Sequence, residues 1–285
     1  MTISALAEEV SAVTDEEFAW FQDYFGRKTG IYFEDNKRYF VDRRLMARMQ
    51  ATGHKSCLLY LRFVQFQPSQ SEYQKLVNAM TVNETYFFRE EYQLAALVDG
   101  VMDDVRKRKA PGQSIRIWSM PCSTGEEPYS IAIYLMEHWP GMAEADVEIV
   151  GSDINSTVLD AAREGIFSDY ALRNTPPHIV ARYFKKISDT GYELLREIRE
   201  AISFTKVNLT NPDETRSYRG FDIVFCRNLL IYFDSTSRRE AVECLYGAMN
   251  PGGYIFLGHS ESMSRISSLF TISRAADALV YQKPL

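Results

Sequence analysis

The chain of 285 residues lacks the marks of several protein classes. It has only four cysteines and no Cys-x-x-Cys pair, which indicates reduced, buried thiols in a cytosolic protein. The four histidines show no metal-ligand spacing, so no metal site is predicted. No apolar run reaches about 18 residues, and we therefore expect no membrane span. A formal net charge of −6 disfavours a nucleic-acid substrate.

The first residues also lack a targeting signal. Glu8 and Glu9 stand where a signal peptide would carry a basic region ahead of an apolar one, so we expect a loose leader over residues 1–12. Hydrophobic residues make up 46% of the chain, which is enough for a substantial core. The length allows one large domain, or a small one joined to a medium one.

The stretch 114–136 carries the strongest local pattern in the chain. An apolar run rich in β-branched and aromatic residues predicts a buried strand, and helical spacing of apolar residues follows. Ser123 and Thr124 are each followed three residues later by a glutamate, which predicts a doubled capping box, and Pro128 suits a first helical turn. Strand, tight turn and helix indicate a nucleotide-type α/β sheet, in which ligands bind at the carboxyl ends of the strands.

The residues of that turn restrict the kinds of ligand that it could bind. It has one glycine where the dinucleotide fingerprint has three, which weakens a nicotinamide or flavin interpretation. Glu126 and Glu127 would repel a pyrophosphate but suit a cationic or hydroxyl-bearing ligand. S-adenosylmethionine has a sulfonium, an ammonium and a ribose diol, and fits this description. The alternative is that the two glutamates only cap the helix.

A second predicted strand, 146–153, ends in Asp153. In nucleotide-binding sheets, a carboxylate at this place accepts hydrogen bonds from both ribose hydroxyls, and we assign Asp153 that role. The alternative is that Asp153 is the N-cap of the helix predicted over 155–165.

The N-terminal part of the chain predicts a small all-helical domain over residues 14–80, beginning at the capping box of Thr14 and Glu17. Its second helix, about 35–51, is strongly basic within an acidic protein, and Lys37, Arg44 and Arg48 share one stripe. This stripe is either a docking surface for an acidic protein partner or an ordinary solvated face.

The segment 81–91 sets polar residues among aromatic ones at the domain boundary, where ligand sites are common. We single out Asn83, Thr85 and Arg89, although a packed hinge would also explain the mixture. The predicted organisation is a helical domain at 1–80, a linker and helix at 81–110, and a catalytic domain at 111–285 with an insertion at about 166–200.

Three further strands are predicted at 201–209, 221–226 and 254–258, with Asn208 at the carboxyl end of the first. Two last segments, about 269–273 and 278–282, should close the sheet as an antiparallel hairpin. Such a hairpin is typical of methyltransferase sheets and not of dinucleotide-binding ones.

Taken together, the motifs resemble the CheR family of chemotaxis receptor methyltransferases. The matching pieces come in family order with comparable spacing, and they are NETYFFRE at 83–90, STGEEPYSIA at 123–132, SDIN at 152–155, VNL at 207–209, CRNLLIYFD at 226–234 and GHSES at 258–262. The resemblance implies a Rossmann-like, S-adenosylmethionine-dependent methyltransferase fold with an N-terminal all-helical domain and a small inserted β-subdomain. It implies methylation of receptor glutamates and S-adenosylhomocysteine as the product.

The resemblance also implies roles for individual residues. Arg89 and Tyr232 match positions that act on the substrate carboxylate. The residues that match cofactor positions are Asn83, Thr85, Arg89, Glu127, Asp153, Asn208, Leu209, Cys226 and Arg227. The basic helix matches the family's docking helix for the cytoplasmic helical region of chemoreceptors, which would recruit a cytoplasmic, monomeric enzyme to membrane-bound receptor arrays.

Two rival functions and one departure complete these expectations. Adenine N-methyltransferases carry a (D/N)PP(Y/F) turn, but residues 227–230 lack its prolines. A non-catalytic module that keeps the fold as a cofactor sensor or scaffold is the second rival, and the intact Arg89, Asp153 and Tyr232 argue against it. The insertion around 185–199 is a few residues shorter than in members that tether to a receptor C-terminal peptide, so we do not expect tethering.

Overall fold

The computed structural model describes residues 11–285, and the chain divides into two compact units, Met1–Val82 and Asn83–Leu285. The leader predicted for residues 1–12 therefore lies almost wholly outside the described residues. Among its described residues, 11–82, the first unit contains four α-helices, which are α1 (Asp15–Thr29), α2 (Arg38–Thr52), α3 (Cys57–Phe66) and α4 (Ser71–Met80).

Helix α1 begins at the capping box that the sequence predicts, and a glycine ends it. The Thr14 hydroxyl accepts a hydrogen bond from the Glu17 N–H, and the Glu17 carboxylate accepts one from the Thr14 N–H. At the other end Gly30 adopts φ 77°, the left-handed conformation that glycine enters without steric strain.

The basic helix α2 contacts its own unit more than its pattern indicated. Val41, Leu45 and Met49 of this helix are buried, but two of the three stripe cations have partners inside the unit. Arg48 forms two hydrogen bonds with the buried carboxylate of Glu72, at 2.9 and 2.8 Å. Arg44 donates to the carbonyl of Ala79 at 2.7 Å. Lys37, just before the helix, is exposed.

The second unit alternates strands with helices. Its helices are α5 (Glu91–Ala96), α6 (Asp103–Arg108), α7 (Glu126–His138), α8 (Ser156–Glu164), α9 (Pro177–Tyr183), α10 (Arg196–Glu200), α11 (Pro212–Thr215) and α12 (Ser235–Ala248). Its strands are β1 (Ile115–Ser119), β2 (Val147–Asp153), β3 (Ile166–Ser168), β4 (Phe184–Lys186), β5 (Gly191–Leu194), β6 (Ile202–Lys206), β7 (Phe221–Cys226), β8 (Met249–Leu257), β9 (Thr271–Ala275) and β10 (Ala278–Gln282). A π-helical turn, Leu97–Met102, joins α5 to α6.

Seven strands form the main sheet in the order β6-β2-β1-β7-β8-β10-β9. The first five run parallel to one another. Strand β10 runs antiparallel to β8 and to its other neighbour, β9, which confirms the predicted closing hairpin. The order reverses at β1, and the carboxyl ends of β6, β2, β1, β7 and β8 meet along one rim. This is the edge at which sheets of this kind bind ligands.

The inserted segment forms a separate three-stranded antiparallel sheet, β3-β5-β4, which confirms the predicted β-subdomain. Three strands have bounds that differ from the prediction, and β9, at Thr271–Ala275, lies two residues later than the predicted 269–273. Strand β6 ends at Lys206, so Asn208 lies in the following loop. Strand β8 begins at Met249, before Pro251, because a register shift against β7 accommodates the Pro-Gly-Gly segment. None of the helices within residues 11–285 combines the length and apolar character needed to cross a bilayer.

Candidate active site

The loops that follow the five parallel strands make one edge of the second unit, and the segment 83–90 is hydrogen-bonded to it. The Ser123 hydroxyl donates to the carbonyl of Asn83 at 3.4 Å, and the Phe88 N–H donates to the Ser130 hydroxyl at 2.9 Å. All the site residues that the sequence predicts lie in this unit, Asn83–Leu285.

The turn between β1 and α7 is built differently from the predicted doubled capping box. The N-cap of α7 is Gly125, at φ 94°, and no side chain caps the helix. Ser123 sits at φ 49°, which directs its hydroxyl to the segment 83–90, and Thr124 donates to the Glu126 side chain at 2.6 Å. A Cβ on Gly125 would come within 2.8 Å of the Tyr129 ring, so this tight turn requires glycine.

Asp153, the last residue of β2, is a buried carboxylate with 3% of its surface exposed. One oxygen accepts from the Ser123 N–H and the other from the Asn155 N–H, both at 2.9 Å. Within residues 11–285 no cationic side chain pairs with it. Burial raises the pKa of Asp153 to about 6 in spite of these donors.

The alternative role of Asp153 as a helix cap is wrong. The N-cap of α8 is Asn155, whose side chain accepts from the N–H groups of Thr157 and Val158. The Asp153 oxygens keep lone pairs that these contacts do not use, which suits hydroxyl donors of a ligand.

A buried ionic network lies across the ends of β1 and β7. Arg227, with 3% of its side chain exposed, contacts the carboxylates of Glu127 at 3.0 Å and Glu90 at 3.1 Å. The Ser119 hydroxyl donates to Glu127 at 2.8 Å. Arg227 also donates to the backbone carbonyl of Arg89 at 2.8 Å, so it fixes the segment that carries Arg89 to the strand ends.

The charges of this network do not cancel. Two carboxylates surround one guanidinium, so the cluster is net negative. Burial raises the pKa of Glu127 although Arg227 and Ser119 oppose it, whereas Arg227 and His259 outweigh burial at Glu90 and leave its pKa below the usual value. The Arg227 Nε–H is buried without an acceptor among the described residues. A net negative cluster with a spare donor fits the ammonium and carboxylate of a methionine moiety.

Tyr232 and Arg89 come close enough to interact electrostatically. Burial raises the pKa of Tyr232, the Arg89 guanidinium opposes the rise, and the carboxylates of Glu84 and Glu261 add to it. Arg89 donates to the carbonyl of Glu84 at 3.1 Å and lies 5.7 Å from the centre of the Tyr86 ring. The two predicted catalytic side chains therefore lie at the same end of the sheet.

Two family models divide the chain between them. The CheR methyltransferase all-alpha domain matches residues 16–81, and the CheR methyltransferase SAM-binding domain matches residues 83–278. The chain belongs to the CheR methyltransferase family. It is an S-adenosylmethionine-binding methyltransferase of that family, as the resemblance implied.

Proteins of known sequence agree with this membership of the CheR family. The chain is 52% identical to chemotaxis protein methyltransferase 2 of Vibrio cholerae, covering 95% of this chain and 94% of that protein. It is 34% identical to the chemotaxis protein methyltransferase of Escherichia coli, covering 92% and 89%. It is 32% identical to chemotaxis protein methyltransferase 1 of Pseudomonas aeruginosa, covering 95% and 99%.

The other predicted site residues of this CheR-family chain lie on the same edge. Asn83 and Thr85 are half-buried in the segment 83–90, and Leu209 is buried. Asn208, two residues beyond β6, donates its N–H to the Glu214 carboxylate at 2.8 Å. Cys226 ends β7, and burial raises the pKa of its thiol well above the usual value, so the thiol stays protonated. Residues 11–285 contain no group of His, Cys, Asp and Glu side chains that could hold a metal ion.

Sequence reasoning missed Glu90, Ser119 and Glu261 as parts of this CheR-family site. Glu90 and Glu261 lie within the matched motifs, but nothing in their spacing tells that they contact Arg227 or the loop after β7. One usable signal is Gly258, where an added Cβ would come within 3.0 Å of the Glu261 carboxylate. A glycine required at a strand end indicates that another group approaches the backbone closely.

Proposed function

We propose that this chain transfers a methyl group from S-adenosylmethionine to glutamate side chains of chemoreceptors and thereby forms glutamate methyl esters in sensory adaptation. One observation carries the proposal: a buried acceptor, Asp153, and a net negative cluster lie along the ligand edge of a CheR-family sheet. The relatives named chemotaxis protein methyltransferases support the class of substrate.

In this proposal the cofactor lies along the rim of the sheet. Asp153 would accept hydrogen bonds from the ribose hydroxyls, and Glu127 and Arg227, together with Asn83 and Thr85, would hold the methionine end. The loop residues Asn208 and Leu209 and Cys226 at the end of β7 would also contact the cofactor, largely through backbone atoms. The product, S-adenosylhomocysteine, would keep most of these contacts, because they do not involve the methyl group.

The proposed reaction does not require the protein to transfer a proton. A glutamate side chain has a pKa of about 4.3, so the acceptor is already an anion at neutral pH and needs no general base. The bound cofactor supplies a methyl group that its own sulfonium activates, so we propose no metal. Charge is lost as the anion and cation combine, and water would favour the separated charges. The side chains therefore exclude water and align the acceptor oxygen with the methyl carbon.

Arg89 and Tyr232 are suited to orient the acceptor carboxylate. A guanidinium holds one oxygen through a charge-assisted hydrogen bond, and a phenol donates from another side. Because burial raises the pKa of Tyr232, the phenol remains an O–H donor at neutral pH. These contacts orient the acceptor without neutralising it fully, since tight ground-state binding would lower its reactivity.

We further propose that the helical unit docks the cytoplasmic helical region of the receptor through the exposed cations of α2. Lys37 and Arg43 are exposed, whereas Arg44 and Arg48 have partners inside the unit and serve mainly its packing. The enzyme would act as a cytoplasmic monomer that reaches the receptor arrays by this contact and without a tether to the receptor C-terminus.

The test is methyl transfer from radiolabelled cofactor to receptor-containing membranes, followed by alkali treatment. Carboxyl methyl esters hydrolyse in alkali, whereas N-methyl groups do not, so we expect the incorporated label to be released as volatile methanol. Purified DNA and RNA serve as rival acceptors in parallel reactions. Label that resists alkali, or that enters nucleic acid instead of receptors, would refute the proposal.

A further inference from the structure

Glu261 collects backbone N–H groups from two chain segments at the rim. One carboxylate oxygen accepts from the N–H of Asn228 at 2.8 Å and of Gly258 at 2.9 Å. The other accepts from the N–H of Ile231 at 3.3 Å, and the Leu230 N–H is also bonded to this carboxylate. No cation of the described chain pairs with Glu261, so backbone donors alone hold its charge.

The loop that these bonds hold has an unusual backbone. Asn228 lies at φ 59°, in the left-handed region, which few residues other than glycine adopt and which asparagine enters more readily than most. On the opposite side, a Cβ on Gly258 would come within 2.9 Å of the Asn228 side chain. The end of β8 and the loop after β7 therefore close around one carboxylate. The loop continues directly into the short helical turn Leu230–Tyr232.

We propose that Glu261 is a positioning residue for methyl transfer, because by binding four backbone N–H groups it fixes the loop that presents Tyr232 beside Arg89. The inference rests on the proposed function, from which it takes the role of Tyr232. Glu261 touches neither the acceptor nor the reacting atoms in this account, and it acts through the tyrosine.

Two electrostatic observations fit this role. Burial raises the pKa of Glu261 in spite of its four donors. The carboxylate has therefore lost more stabilisation by water than the backbone N–H groups return. Its negative charge also adds to the effect of burial on Tyr232 and raises the pKa of that phenol. Glu261 thus fixes the loop that carries Tyr232, and its charge acts on the pKa of that phenol in the same direction as burial.

The first test compares Glu261→Gln with a matched control, Glu243→Gln, which removes a carboxylate from the exposed face of α12. The amide keeps the size of the side chain but turns an NH₂ group toward backbone donors. We expect kcat to fall about tenfold for Glu261→Gln, with the Kd for cofactor unchanged, and no change for Glu243→Gln. Should Glu261→Gln not fold, Glu261→Asp replaces it, since its shorter carboxylate withdraws from the same donors.

A double-mutant cycle separates positioning from general stability. If Glu261 acts through Tyr232, Glu261→Gln should lower kcat by less than about twofold when Tyr232→Phe is already present. An equal fall in both backgrounds would mean that Glu261 supports the fold and not the tyrosine, and the proposal would be overturned.

A second readout does not depend on activity. With 3-fluorotyrosine at position 232, we expect one narrow fluorine resonance in the otherwise unchanged protein. In Glu261→Gln we expect a broadened or shifted resonance and a lower phenol pKa. Absence of methyl transfer to receptors would refute the proposed function while this measurement still tests Glu261. A fluorine spectrum and titration unchanged by Glu261→Gln would refute the positioning role.

Discussion

Two acidic sites on the same rim hold their charge in opposite ways. Asp153, at the end of β2, has backbone N–H donors and no cation, and its pKa rises to about 6. Glu127 and Glu90, beside β1 and β7, share the buried guanidinium of Arg227. Asp153 can accept hydrogen bonds from uncharged donors such as hydroxyl groups. The cluster of Glu127, Glu90 and Arg227 holds charges of both signs in fixed positions, which a zwitterionic group can match.

The difference teaches how one sheet edge can hold both ends of one ligand. Hydroxyl groups donate but carry no charge, so a carboxylate without a cation loses little when it binds them. An ammonium needs a carboxylate and the carboxylate beside it needs a donor, and two glutamates around one arginine supply both. Loss of the shared arginine should therefore harm the fold, and loss of the unpaired aspartate should harm only binding.

The largest expected effect comes from Arg227→Met. It leaves two buried carboxylates facing each other, and we expect the free energy of unfolding to fall by about 3–5 kcal/mol. Denaturant titration measures this change. Adding Glu127→Gln to the same chain should recover part of the loss, because it removes one of the two uncompensated charges. A loss below about 1 kcal/mol would show that the network is not the buried charge cluster described here.

Arg89→Ala should act on turnover and not on the fold. Only the carbonyl of Arg89 is held by the network, so truncating its side chain leaves the network intact. We expect the methylation rate to fall about 100-fold or more, the scale of a lost charge-assisted hydrogen bond. Arg196→Ala, at an exposed guanidinium on α10, is the control for the loss of one positive charge. Turnover near that of the unmodified protein would remove Arg89 from the mechanism.

Asp153→Asn should weaken cofactor binding about tenfold or more in a protein that still folds, because the amide turns an NH₂ group toward one of the two backbone donors and accepts hydroxyl donors less strongly. Calorimetric titration measures the affinity, and denaturant titration the fold. An affinity equal to that of the unmodified protein would exclude Asp153 from the ribose site.

The pKa of Asp153 predicts a pH dependence with a definite sign. Burial raises the pKa from 3.8 to about 6, so between these values the folded chain holds a proton that the unfolded chain has lost. Stability from this group is therefore greatest below its ordinary pKa, falls as the pH rises to about 6 and is flat above. Ribose hydroxyls favour the ionised form, so cofactor affinity should be full above about pH 6 and fall below it. Asp153→Asn should remove this dependence.

The smallest effect is expected from the basic helix of the helical unit. Lys37→Ala combined with Arg43→Ala should raise the KM for receptor a few-fold at low salt and less at high salt, with cofactor affinity unchanged. Arg48→Ala is not equivalent, because it leaves the buried Glu72 without its cation and should destabilise the helical unit. A KM for receptor that the paired variant does not change would mean that these cations form only a solvated face.

The sequence predicts most elements whose signals are local. The capping box of Thr14 and the glycine after α1 give that helix its bounds, and an apolar run followed by an acidic residue gives β2 and Asp153. The prediction was wrong where residues that matched a local pattern formed other hydrogen bonds instead. Ser123 and Thr124 match a capping box, but the left-handed turn through Gly125 turns their side chains to other partners.

Contacts between residues far apart in the sequence could not be predicted from helical spacing or short motifs. Arg48 was assigned to a surface stripe because helical spacing says nothing about Glu72 on another helix. The resemblance matches Arg227 only to a cofactor position, yet its side chain joins Glu127 and Glu90 from two distant segments. Such pairs depend on which strand ends become neighbours, and spacing along one element does not specify that.

By itself the sequence determined the α/β class, the order of strands and helices, the family and the residue types available for chemistry, since periodicity and short motifs are written along the chain. Only the tertiary structure decided which of these residues share a charge and which remain unpaired. The physical reason is that burial and hydrogen bonding set the state of a carboxylate, and both arise when strand ends far apart in sequence are brought to one edge.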